Sequence, residues 1–312
     1  MQPAPANQNN SVSIIELREN LIDEIFKAAG FSDSGMLRKI GGSLFNQLAR
    51  RFATIAARFD QVMYQSGFPA AAQDALNHFN LMMQVRGAEN IPYQGPVLIA
   101  GNHPGSFDAL CVLANLPRQD VYFIVSGVPL THSLPNTSPH LIYAPSDKHE
   151  RMLAIRAMTR HLQEGRAVFI LPSGRLDPDP DVLPGAEQAL ELWSPSLDIL
   201  LRRVPETQVV IAITSGVLAP QVLHHPVTRL QKSWRRQKLA EFIQVGQMLF
   251  NPHKYELHPR ITFSSPWTIP AHSTAIGKQG YLPELIEVAK NTLHTHQSWN
   301  SLGESAHLVI NP

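Results

Sequence analysis

A single cysteine, Cys111, in 312 residues leaves no intramolecular disulfide framework and no zinc site built on paired thiolates. It lies in the apolar run "DALCVLANL", where a free thiol acts as a small buried hydrophobe rather than as a nucleophile. Charge of one sign is equally scarce. Twenty-six basic against 25 acidic side chains give a formal net charge of +1, so nothing draws the whole chain to nucleic acid, and none is expected as a partner. No apolar run approaches the ~20 residues that cross a bilayer. The opening "MQPAPANQNNSVS" has neither the charged and apolar regions of a signal peptide nor the arginines of a transit peptide. A cytoplasmic location is therefore expected, with contact at a membrane surface left open. Also missing are Gly-x-Ser-x-Gly, a P-loop, Gly-x-Gly-x-x-Gly and His-Glu-x-x-His, which argues against serine hydrolases, nucleotide binders and zinc proteases. No metal and no cofactor are expected.

What is present is a globular composition, 44% hydrophobic and 16% charged. Up to about Leu81 the pattern is helical. Ile14, Leu17, Leu21, Ile25 and Ala28 share one face ahead of Gly30, a second helix runs from Met36 to Gly67, and "AAAQDALNHFNLMM" forms a third. Beyond Met82 come six short apolar runs, "MMQVRG", "GPVLIAGN", "VYFIVSG", "RAVFILPSG", "TQVVIAITSG" and "PRITFSSP", each stopping at Gly, Pro or Asn as buried strands do. Helical stretches separate several of them. The alternation predicts an α/β domain with a largely parallel, helix-covered sheet over residues 82–312, preceded by a helical domain over 1–81 that packs on it directly.

In such sheets functional groups gather after the carboxyl ends of strands. The first loop of interest is "VLIAGNHPGSFDALCVL". His103 and Asp108 in one helix would point about 140° apart. Pro104 and Gly105 instead put His103 in the turn before the helix, where its ring can fold back onto a carboxylate in the first helical turn. One imidazole nitrogen is then tied to an acceptor and the other is left to take a proton from a hydroxyl. A capping Asp108 beside an ordinary loop histidine is the plainer alternative. The second loop is "AVFILPSGRLDPDP". Ser173 and Gly174 make its tight turn, and Arg175 offers a planar fork for phosphate oxygens or simply meets solvent. Lys148 and His149, in "SDKHER", either face the same pocket or lie exposed at a helix start. His224, His225, His294 and His296 fit no metal-site motif and are expected to be exposed. The amides around Gly105 and Gly174 are the candidate oxyanion donors.

Together these segments resemble the glycerol-3-phosphate/lysophosphatidate acyltransferase family. "GNHPGSFD" is similar to its first motif and "FILPSGRLDPDP" to its third. Pro-Ser-Gly in place of Pro-Glu-Gly, the upstream Lys148-His149 pair and the leading helical segment resemble the soluble, plastid-type glycerol-3-phosphate acyltransferases. The resemblance runs from about Gly87 to Pro220. It implies attack by an acceptor hydroxyl on an acyl thioester, acyl-CoA or acyl-acyl carrier protein. His103 would be the general base oriented by Asp108, and Lys148, His149, Ser173, Gly174 and Arg175 would receive a phosphate-bearing glycerol. The third motif is one residue shorter than in that branch and supplies one arginine instead of two. Phosphate binding then rests on Lys148, His149 and Arg175, or the acceptor is a lysophospholipid or another hydroxyl compound. A lipid-binding protein that keeps the fold without activity is the non-enzymatic alternative. Two basic runs, Arg38, Lys39, Arg50, Arg51 and Arg58, then Arg229, Lys232, Arg235, Arg236 and Lys238, are read as solvated faces or as docking sites for acyl carrier protein or anionic lipid.

Overall fold

A computed structural model of the chain describes residues 35–126, 129–144, 148–229, 233–270 and 280–300. The helix expected over residues 14–28 lies outside the described residues. The first described element, α1 (Gly35–His78), is broken at the expected stop, Gly67, where the backbone leaves the helical conformation. There the backbone kinks with φ at 78°, a left-handed conformation open to glycine at little cost, and Pro69 cannot donate to the preceding turn. The two helices expected on either side are thus present and meet at this kink.

Among the described residues seven strands follow: β1 (Gln84–Arg86), β2 (Val97–Gly101), β3 (Val121–Val125), β4 (Leu141–Tyr143), β5 (Ala167–Ile170), β6 (Gln208–Ser215) and β7 (Arg260–Phe263). They form one sheet in the order β1-β7-β6-β2-β5-β3-β4. Every neighbouring pair is parallel except β6 and β7. All six expected strands are present and the sheet is largely parallel, as the alternation predicts. The seventh, β4, is not among the expected runs.

The main helices are α2 (Asp108–Leu113), α3 (Lys148–Gln163), α4 (Ser196–Arg203), α5 (Ser233–Phe250) and α6 (Leu282–Gln297). Side chains alternate across each strand, and both faces are covered. Val97 and Ile99 of β2 join a core with α1, α2 and α5. Leu98 and Ala100 join a second core with α3, α4 and α6. Helix α1 therefore shares its core with the sheet. Among the described residues no helix is long and apolar enough to cross a membrane.

What this topology does for function is local. β2 lies between β5 and β6, so the loops leaving all three carboxyl ends emerge side by side.

Candidate active site

β2 ends by substituting a side chain for backbone. The buried Asn102 amide donates to the Thr214 carbonyl at 2.9 Å and accepts from the Thr214 amide at 2.8 Å. It extends the pairing with β6 by one step, after which Pro104 and Gly105 turn the chain into α2. His103 sits in that turn with its Nδ1 2.8 Å from Asp108 Oδ2. The same oxygen accepts the Gly105 amide at 3.0 Å. A carboxylate only accepts, so Nδ1 carries the proton and Nε2 presents its lone pair. Asp108 is 1% exposed, whereas the His103 side chain is 30% exposed, so the pair is anchored at one end and open at the other. Burial pulls the His103 imidazole down, but Asp108, then Asp177 and Glu241, outweigh it and hold the ring above the ordinary histidine value.

The loop after β5 is laced to this turn. The His103 amide donates to Asp177 Oδ2 at 2.9 Å, and the Asp177 amide donates to the His103 carbonyl at 2.7 Å. Ser173 Oγ donates to the Arg175 carbonyl at 2.8 Å and also lies 3.1 Å from Asp177 Oδ2. Gly174 has φ at 63° with open space where a side chain would stand, so the turn itself requires glycine. Two residues on, buried Asp179 accepts the amides of Gly216, Val217 and Leu218 at 3.0–3.1 Å, which pins the loop to the end of β6. Burial pushes the carboxyls of Asp177 and Asp179 up. Neither was singled out from sequence. The signal was there in "DPDP", since an Asp-Pro pair repeated beside a strand end fixes the direction of two short acceptors.

Helix α5 forms the third wall, also unforeseen. Gln237 Nε2 donates to the carbonyls of Pro104 at 3.2 Å and Asp177 at 2.7 Å, bridging both loops. Glu241 accepts from the Ser106 amide and hydroxyl, each at 2.8 Å. Gln244 serves the β6 exit, accepting the Ala219 amide at 2.7 Å and donating to the Val217 carbonyl at 2.8 Å. Gln237, Glu241 and Gln244 recur at helical spacing, a polar stripe readable as one face. The neighbouring face of α5 is apolar. Phe242, Val245, Gly246 and Leu249 line a groove of about 340 Å³ against Leu48 and Phe52 of α1, with Ser106 in its wall.

The structure thus brings His103, Asp108, Ser173 and the Gly174–Arg175 turn together, with Arg175 exposed at the mouth. Helix α3 begins at Lys148, but the side chains of Lys148 and His149 lie outside the described residues. Three expectations need correction. The amides suggested as oxyanion donors are engaged elsewhere, Gly105 by Asp108 and Gly174 by the Leu171 carbonyl at 3.1 Å. His296 is buried, not exposed: it faces inward on α6 with Leu285, Ala289 and Leu293. His225 is partly covered, while His224 and His294 are exposed. The basic runs are also partly engaged. Arg51 donates to the Leu249 carbonyl, Arg58 pairs with Asp74, and Arg236 donates to the Leu223 carbonyl. Arg50 and Lys238 remain exposed, and the side chains of Arg38, Lys39, Arg229, Lys232 and Arg235 lie outside the described residues. Cys111 is buried as expected, and burial pushes its thiol far up.

Comparison with known proteins bears on the region just described. Residues 82–197 match the family model described as Acyltransferase, a span that includes both loops. The chain is similar to the solved structure of a 1-acyl-sn-glycerophosphate (LPA) acyltransferase, PlsC, from Thermotoga maritima. Identity is 14% and the TM-score 0.46, over 91% of this chain and 97% of that one. No curated protein sequence matches. The likeness to the Acyltransferase family therefore rests on residues 82–197, the stretch that carries both loops.

Proposed function

We propose that the chain transfers a fatty acyl group from an acyl thioester to a hydroxyl of glycerol 3-phosphate or a related phosphate-bearing glycerol. The observation that carries this reading is the 2.8 Å contact between His103 Nδ1 and Asp108 Oδ2, buried on the carboxylate side and open on the imidazole side. It leaves Nε2 free to accept the hydroxyl proton as the oxygen attacks the thioester carbonyl. The tetrahedral intermediate then collapses, the carbon–sulfur bond breaks, and the imidazolium returns the proton to the leaving thiolate. The products are an ester and a free thiol, with no acyl-enzyme formed. Asp108 holds the reactive tautomer and stabilises the imidazolium in between.

The surroundings support both substrates. Arg175, exposed at the end of the loop that carries Ser173, offers a phosphate fork beside the base. The apolar groove between α1 and α5 reaches Ser106, three residues from His103, and suits the alkyl tail of acyl-CoA or acyl-acyl carrier protein. In this reading the chain divides near residue 82 into a helical part that walls the donor groove and an α/β part that carries the chemistry. Exposed Arg50 and Lys238 would meet an acidic carrier or anionic lipid.

A screen of hydroxyl acceptors against one labelled long-chain acyl thioester tests the proposal. Thiol release that depends on glycerol 3-phosphate, with label recovered in the phosphate-bearing product, is the expected result. Release only with a lysophospholipid would reassign the acceptor. A bound thioester that no acceptor turns over would make the chain a non-catalytic lipid binder.

A further inference from the structure

Helix α5 lies beyond the span matched to the family model, yet it meets the His103 turn from below. Glu241 is 3% exposed, and one of its oxygens, Oε2, takes both donors of Ser106. Its other oxygen, Oε1, is buried with no hydrogen-bond partner. That oxygen is pressed against Gly105: a Cβ built on Gly105 would fall 2.6 Å from Oε1, 2.9 Å from Cδ and 3.0 Å from Oε2. A carboxylate this deep needs a reason. An apolar side chain would cover the same surface without the desolvation cost. What the carboxylate does that an apolar group cannot is grip the turn by two hydrogen bonds at Ser106. Gly105, on the other side of the same turn, gives its amide to Asp108.

Resting on the reading of His103 as the base, we propose that Glu241 is a positioning residue for it. Glu241 fixes the Gly105–Ser106 segment, so that Asp108 and His103 keep their 2.8 Å contact while the ring stays partly open. The carboxylate also bears on the imidazole through space. His103 feels Asp108, Asp177 and Glu241, all of which favour its protonated form against burial. Glu241 in turn feels Asp108 and Asp179, and burial carries its carboxyl up to about 7. Gln237, one turn back on α5, holds the Pro104 carbonyl and is uncharged. An ionised Glu241 therefore shifts the pH at which His103 becomes a competent base, which an inert packing residue would not do.

The test uses the full chain with Glu241→Gln, Glu241→Ala, Ser106→Ala and His103→Ala. It follows thiol release across pH and titrates the labelled histidine ring, assigned to His103 by its absence from His103→Ala. Glu241→Ala should lower kcat on the order of a hundredfold, the scale of a misplaced catalytic group, with KM for donor and acceptor little changed. Glu241→Gln keeps an oxygen for Ser106 and should recover much of that loss. It also removes the charge, so the His103 titration and the acid limb of the rate profile should both move to lower pH. Ser106→Ala keeps the amide donor and should fall between the two. Should Glu241→Ala fail to fold, Glu241→Gln and Ser106→Ala decide the matter. Wild-type kcat in both, with an unmoved His103 titration, overturns the role of Glu241. Wild-type turnover in His103→Ala would overturn the reading of the base itself, whatever Glu241 does.

Discussion

Two histidines lie beside the ends of adjacent central strands, and their surroundings have opposite chemistry. His103 follows β2, has a carboxylate on Nδ1 and keeps part of its ring open. His296 on α6 is 0% exposed and touches hydroxyls on both nitrogens, Thr262 Oγ1 at 2.9 Å and Ser215 Oγ at 2.7 Å. Ser215 gives its proton to Asp181 Oδ2, so its oxygen accepts from His296 Nε2 and leaves Nδ1 to accept from Thr262. Every polar atom of this neutral ring is satisfied. Burial, helped by Arg260, lowers its pKa to about 4. The comparison teaches that a histidine in a buried, fully answered hydrogen-bond network is held as a strut, whereas one with a carboxylate behind and solvent in front has the geometry the proposed base requires.

The sharpest way to break the contrast is to blunt the carboxylate. Asp108→Asn should keep the fold but cost turnover on the order of 10³- to 10⁴-fold, because an amide neither enforces the tautomer nor stabilises the imidazolium. Steady-state thiol release read beside a thermal melt separates the two effects. A variant with near-normal turnover would mean that Asp108 only caps α2.

His296 predicts the reverse, an effect on stability and not on rate. Between pH 6.5 and about 4 the unfolded chain takes up a proton at His296 that the folded chain refuses, so acid favours unfolding at this site. The stability held by the neutral ring is complete above pH 6.5 and falls by about 3 kcal/mol as pH drops through that window. His103 has the opposite sign, since its raised pKa adds stability below the unfolded value that is lost as pH climbs through the folded one. Denaturant melts of wild type and His296→Gln across this range should converge toward acid. Parallel curves would place the acid sensitivity elsewhere.

How far the sequence discloses this contrast depends on the range of the contacts. His103 and Asp108 are five residues apart, and Pro104-Gly105 between them marks a turn, so their meeting is a local event that composition can reveal. The six expected strands were legible for the same reason, as short, mostly apolar runs that stop at Gly, Pro or Asn. His296 meets Ser215 across 81 residues and Thr262 across 34, which no local pattern encodes. Its inward face was nonetheless readable, because Leu285, Ala289, Leu293 and His296 recur on one side of α6. Glu241 was the hardest to see. It lies 135 residues from Ser106 on a helix whose charged residues invite a surface reading.

Smaller effects sharpen the acceptor side. Arg175→Ala should raise the half-saturation concentration of glycerol 3-phosphate by an amount equivalent to about 1.5–3 kcal/mol, leaving the donor nearly untouched, and Lys148→Ala should act in the same direction. Acceptor and donor titrations of each variant make the distinction, and an unchanged Arg175→Ala would take phosphate away from this loop. The smallest effect belongs to the exposed cations. Arg50→Glu and Lys238→Glu should each weaken vesicle or carrier binding by about 1 kcal/mol at most, and only at low salt. Co-sedimentation that is insensitive to salt and charge would leave both as solvated surface.

The central claim is that His103 takes the acceptor's proton. It meets its most direct test in the turnover of folded His103→Ala with a long-chain acyl thioester and glycerol 3-phosphate, followed as free thiol. The geometry predicts a fall of about 10²- to 10⁴-fold with the melting curve preserved. Turnover equal to wild type in a folded His103→Ala protein would contradict it.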